Sequence, residues 1–278
     1  MEKLDRLGWA DGIAFTSYRA RIGIRTSSSA VLSDLIERLP PRSRIVQGEV
    51  VDTLYSLIVA PPVGHSRVKM YHLLYAGTRQ IARSLDPSTV LNALESRLRL
   101  EVALRAKGRL FVHAGVVAWN GRAILLPGRS HAGKSTLVAA LVEAGAKYYS
   151  DEYAVLDSRG YVYPYIKPIS LRLPGSSESI TVPVASLSGP IGTAPVPVGA
   201  IVVAKYQQDA KWRPRQITRG QAVMALFDNT VAAIVKPGFA LDVLRKAASC
   251  CVGVKGNRGE AIEVVDNLLY QRFATWAP

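Results

Sequence analysis

Apolar and charged residues alternate over Ala20-Arg21-Ile22-Gly23-Ile24-Arg25, the period of a half-buried strand. Gly12 to Phe15 is a second strand candidate just before it. Ser27-Ser28-Ser29 then reads as the cap of a helix carrying Val31, Leu32, Leu35 and Ile36, which must end before Pro40-Pro41. Val50 to Ala60 and His72 to Tyr75 read as further strands. This β-β-α-β succession predicts a small α+β module over residues 1–85. Asp86-Pro87-Ser88 opens a long helix to about Lys107, with Val90, Leu91, Leu94, Leu98 and Val102 on one stripe. Read as the junction, this helix begins a second part, residues 86–278.

In the second part short apolar runs alternate with helical patterns. Leu110 to Trp119 and Ala123 to Leu126 read as strands joined by Asn120-Gly121, a strong hairpin signal. Ser135 to Ala144 reads as a helix with Leu137, Ala140 and Leu141 on one side and Gly145 as its stop. Strands follow at Ala146 to Ser150, Tyr153 to Leu156, Tyr161 to Pro164, Ile166 to Arg172 and Val198 to Lys205. Residues 173–197, rich in Pro, Gly and Ser, read as one long loop. Helices are expected from Thr218 to Phe227, Phe239 to Cys250 and Gly259 to Tyr270. The pattern predicts an α/β fold.

Composition changes this picture little. The chain has 278 residues, 49% hydrophobic and 20% charged, which is enough for a substantial core. Its two cysteines, Cys250 and Cys251, are adjacent, so they form no disulfide framework and no metal-ligand spacing. No run approaches the roughly 18 apolar residues of a membrane span, and no apolar leader is visible, so a cytoplasmic location is expected. The net charge of +14 suits anionic ligands: a nucleotide, or an acidic peptide. The basic residues are scattered, with no zinc-finger, RNP or KH pattern, so nucleic acid is disfavoured as a partner. A homo-oligomer is compatible with the sequence.

One stretch carries the chemistry. Gly128-Arg129-Ser130-His131-Ala132-Gly133-Lys134-Ser135 is a full match to G-x-x-x-x-G-K-[ST], and it lies between a strand and a helix as that motif requires. Gly128 and Gly133 let the backbone turn its N–H groups toward phosphate oxygens, and the helix adds the positive end of its dipole. Lys134 supplies a point charge for the outer phosphates, the Ser135 hydroxyl can ligate Mg2+, and Thr136 completes the motif's contacts. Asp151-Glu152 begins 17 residues beyond Lys134, room for one helix and one strand, which brings the pair to a strand tip near the phosphates. A carboxylate there can hold Mg2+ or take a proton from an attacking hydroxyl. Asp151 is the expected base, with Lys134 the second catalytic residue; Glu152 joins Ser135 as the expected metal ligand.

His113-Ala114-Gly115, the GRSHAGKST run and YYSDEYAVLD together resemble the HPr kinase/phosphorylase-like serine kinases, whose nucleotide-binding core is similar to that of the ATP-dependent phosphoenolpyruvate carboxykinases. The resemblance covers about residues 110–175. It implies a P-loop-containing sheet core of that type behind the small N-terminal module, ATP and Mg2+ as cofactors, and an acidic pair supplying the base, at Asp151 and Glu152. The bacterial enzymes carry two aspartates there, so Glu152 is a departure. The resemblance also places His113 near the phosphates, and Lys167 or Arg172 within reach of the nucleotide or the transferred group. The acceptor it implies is a serine of a protein or peptide. The residues themselves leave a small alcohol as acceptor, or a non-catalytic ATP-gated binding module, equally open.

Overall fold

The computed structural model describes residues 2–48, 50–61, 69–128, 133–172 and 179–273. It is a mixed α/β protein, mostly strands, in two compact units, Met1–Lys107 and Gly108–Pro278.

The first unit opens with a short helix, α1 (Glu2–Asp5). Its sheet contains β1 (Asp11–Ser17), β2 (Ala20–Thr26), β3 (Arg44–Val46), β4 (Thr53–Ile58), β5 (His72–Ala76) and β6 (Arg79–Ser84). They lie in the order β3-β1-β2-β4-β5-β6, and β2 and β4 pair in parallel. The helix after the serine run is α2 (Leu32–Glu37), entered through a 3-10 turn at Ser29–Val31. No serine side chain caps it, contrary to expectation: Ser28 precedes the turn without a capping bond. The long helix is α3 (Pro87–Arg105), capped by the Asp86 carboxylate, which accepts from the Ser88 and Thr89 amides at 3.0 and 3.2 Å. Its stripe Val90, Leu91, Leu94, Leu98 and Val102 is buried, and the helix packs on β2, β5 and β6. It therefore belongs with the first unit, and the division falls at 107/108 rather than at residue 85.

The second unit is built on β7 (Arg109–Trp119), β8 (Arg122–Pro127), β9 (Lys147–Ser150), β10 (Tyr153–Asp157), β11 (Tyr161–Tyr163), β14 (Val196–Tyr206), β15 (Arg215–Gln216) and β16 (Val252–Arg258). The order is β11-β10-β7-β8-β14-β16-β15, with β9 also on β7. A separate ribbon pairs β12 (Ile169–Arg172), within the strand expected over Ile166 to Arg172, with β13 (Ser179–Val182), which lies in the stretch expected to be loop; residues 173–178 of that stretch lie outside the described residues. Asn120 and Gly121 both take left-handed φ, 47° and 74°, which makes the tight β7–β8 turn.

Helices cover both faces, with two hydrophobic clusters beneath them. On one face are α4 (Lys134–Glu143), through Leu137, Val138, Leu141 and Val142, and α7 (Ala261–Asp266), which continues as a π-helical turn at Asn267–Arg272. On the other are α5 (Arg219–Phe227) and α6 (Pro237–Ala247), through Ala222, Leu226, Val243 and Leu244. Gly115 in β7 lets α4 lie close, since a Cβ there would stand 2.5 Å from Val138 Cγ2. No helix among the described residues is long and apolar enough to cross a membrane.

The strand directions gather one end of the sheet. β8, β14 and β16 are parallel, so their C-terminal ends lie side by side. β7 runs against β8, pairing Ala114 with Pro127, and β10 runs against β7, pairing Tyr153 with His113. Gly128, His113, the Asp151-Glu152 turn, Tyr206 and Arg258 thus share that end.

Candidate functional site

The site begins where β8 stops. The Gly128 amide donates to the His113 carbonyl at 3.3 Å, one step beyond the Ala114–Pro127 pair of the β7–β8 ladder. Arg129, Ser130, His131 and Ala132 lie outside the described residues. Gly133 resumes with φ 74° as the residue before α4, a conformation that disfavours any side chain. Its carbonyl accepts from the Leu137 amide at 3.2 Å and from Arg258 Nη2 at 2.6 Å.

Lys134 and Ser135 form the first turn of α4 and are half-buried; Thr136 is exposed. Burial pushes the Lys134 ammonium below its ordinary pKa, and the nearby Asp151 carboxylate opposes that shift. No acidic residue occupies this first turn, so the positive end of the helix is left uncompensated by its own side chains.

Across from α4, Ser150 Oγ accepts from the amides of Glu152 and Tyr153 at 3.1 and 3.0 Å, fixing the turn between β9 and β10. That turn presents the acidic pair. Asp151 is only 8% exposed, and its Oδ1 has no hydrogen-bond partner. Burial raises its pKa to about 6, against the Ser135 hydroxyl bonded to its side chain, the Lys167 charge, a backbone bond from Ser170 and the Lys134 charge. The Glu152 carboxylate pairs instead with Lys167 Nζ at 3.1 Å. Lys167 is held in place through its carbonyl, which accepts from the buried Tyr148 hydroxyl at 2.7 Å.

His113 is half-buried in β7, its ring 4.8 Å from that of Tyr153. Burial drives its pKa down; Glu152 pulls it up, and Lys134 and Lys167 push it down again. It is neutral at pH 7, part of the wall around the two lysines and two carboxylates. Arg172 ends β12, and its side chain lies outside the described residues.

His113, Lys134, Ser135, Asp151, Glu152 and Lys167 are therefore brought to one place. Sequence reasoning missed Arg258 and Tyr206. Arg258, 2% exposed, ends β16; it donates to the carbonyls of Gly133 and Gly259, and its guanidinium stands 5.4 Å from the Tyr206 ring centre. The run Val252 to Arg258, with its two glycines, carries no strand pattern that would single out the arginine.

The donor set suits a hard cation. Ser135 Oγ and a carboxylate of the Asp151-Glu152 turn are oxygen ligands of the kind Mg2+ takes, and Mg2+ usually keeps waters and substrate phosphates as its other ligands. Among the described residues, no group of three or more His, Cys, Asp or Glu is placed to hold a metal ion. The α4 N-terminus with Lys134 suits a polyphosphate. No protein-family model and no curated protein matches the chain.

Proposed function

We propose that this chain is an ATP- and Mg2+-dependent kinase with a P-loop core of the HPr kinase/phosphoenolpyruvate carboxykinase type, transferring the γ-phosphoryl group to a serine hydroxyl of a protein or peptide. The observation that carries the reading is Asp151: a buried carboxylate with one unsatisfied oxygen, raised to about pKa 6, bonded to the serine of a G-x-x-x-x-G-K-[ST] motif.

Gly128 and Gly133 shape the phosphate cradle, and Lys134 neutralises the outer phosphates. Ser135, with Glu152, would hold Mg2+, which when bound would draw charge from the phosphate oxygens. Asp151 accepts the proton of the acceptor hydroxyl as the acceptor oxygen bonds to the γ-phosphorus and the bond from that phosphorus to the bridging oxygen breaks, releasing ADP. Glu152 is engaged by Lys167, which leaves Asp151 as the carboxylate suited to act as base. Its pKa lies near neutrality, where a general base works best. His113, held neutral, adds no competing charge.

The test is transfer from γ-labelled ATP to a serine-containing peptide pool and a lysate, with Asp151→Asn beside the wild type. Label on a polypeptide, reduced at least about 100-fold in the variant, is the expected result. Label confined to small molecules would move the acceptor to a small alcohol. Binding without transfer would make the chain an ATP-gated module.

A further inference from the structure

An extended nucleotide has its transferred phosphate at one end and its base at the other. Lys134, Ser135 and Asp151 mark the phosphate end, and Asp151 lies on the β9–β10 side of the β8 tip. The opposite side of that tip belongs to β14 and β16, whose last residues, Tyr206 and Arg258, are register partners. Tyr206 lies on the face covered by α4, in line with Ala200, Val202 and Ala204. An aromatic ring left 43% exposed at a strand tip is there without burial to account for it.

It is also held close to the motif. A Cβ on Gly133 would come within 2.5 Å of Arg258 Nη2 and 3.3 Å of Tyr206 Cβ. Arg258 links the two, gripping the Gly133 carbonyl and standing over the Tyr206 ring. Its Nε has no hydrogen-bond partner and its charge is buried, so a cation is kept at this point of the loop at some cost in desolvation.

We propose that Tyr206, steadied by Arg258, is the stacking platform for the nucleobase. The nucleotide then lies across the strand tips, its γ-phosphate toward Asp151 and its base on Tyr206. This inference rests on the nucleotide-binding reading above. Stacking on an aromatic side chain contributes about 1–3 kcal/mol per base and tolerates base identity.

The experiment is titration calorimetry on the full chain with Mg2+ and either ATP or inorganic tripolyphosphate, which has phosphates and no base. Tyr206→Ala should weaken ATP binding about tenfold and tripolyphosphate less than about twofold, while Tyr206→Phe keeps ATP affinity within about twofold. Equal loss for both ligands in Tyr206→Ala would make the ring a prop for Gly133 and overturn the proposal. So would unchanged ATP affinity in that variant, or a wild type that binds tripolyphosphate as tightly as ATP; each of these leaves the phosphate site standing. A wild type that binds neither ligand would remove the nucleotide reading itself and the base site with it.

Discussion

At the scale of one residue, the burial of Asp151 carries a cost in stability. Its carboxylate titrates near 3.8 when exposed and at about 6 in the folded protein. The folded state therefore holds the proton more tightly than the unfolded chain. Its stability contribution is fully present below about pH 3.8 and is lost as pH rises to about 6, a difference of about 3 kcal/mol at neutral pH. Asp151→Asn removes that charge and keeps an oxygen for Ser135. Near pH 7.5 the variant should melt several degrees above the wild type, with the gap closing toward pH 4. A variant that melts below the wild type at pH 7.5 would show Asp151 to be a stabilising structural group. With Asp151 as the base we propose, turnover should rise as pH climbs through about 6. Much of this residue-level chemistry was legible in the sequence, because the motif fixes Lys134 and Ser135, and the short distance to Asp151 allows only one helix and one strand between them. The division of labour within the pair was not, because the Glu152–Lys167 ion pair is a contact across 15 positions that no local pattern encodes.

At the scale of elements, α4 and β7 depend on one small residue. The Gly115 position has no room for a methyl group against Val138, so Gly115→Ala must push α4 outward or distort β7. Overpacking of this kind costs about 1–3 kcal/mol. A lowered urea midpoint with an unchanged m-value is the expected result; an unchanged midpoint would mean that the helix moves freely on the sheet. The strands and helix around this contact were readable because their apolar runs are unbroken and their turns carry Asn120-Gly121 and Gly145. β16 was not readable. Its glycines look like loop signals, yet Gly253 is a strand residue over which Ile217 closes, a Cβ there falling 2.7 Å from Ile217 Cγ1. Missing β16 hid Arg258, and with it the connection from the far side of the sheet to Gly133. The edge strands β3, β6 and β15 were missed for a related reason. They are short or polar, and pairing defines them more than pattern does.

At the scale of the whole molecule, the helix α3 decides where the chain divides. Its stripe reads as core in the sequence, but periodicity does not say whose core. Five buried side chains, Val90, Leu91, Leu94, Leu98 and Val102, face the sheet of the first unit. Stripping them from it would expose apolar surface worth on the order of 10 kcal/mol, comparable to the whole stability of a domain. A fragment beginning at residue 86 would carry that stripe without its partner sheet. A fragment beginning at Gly108 keeps β7 to β16, both helical layers and every candidate site residue. The expected outcome is that the fragment from Gly108 melts cooperatively and retains the ATP-induced rise in Tm, while the fragment from residue 86 aggregates or binds a hydrophobic dye. A fragment from Gly108 that unfolds, beside one from residue 86 that is monomeric and cooperative, would return α3 to the second unit and make it the base on which the nucleotide site is built.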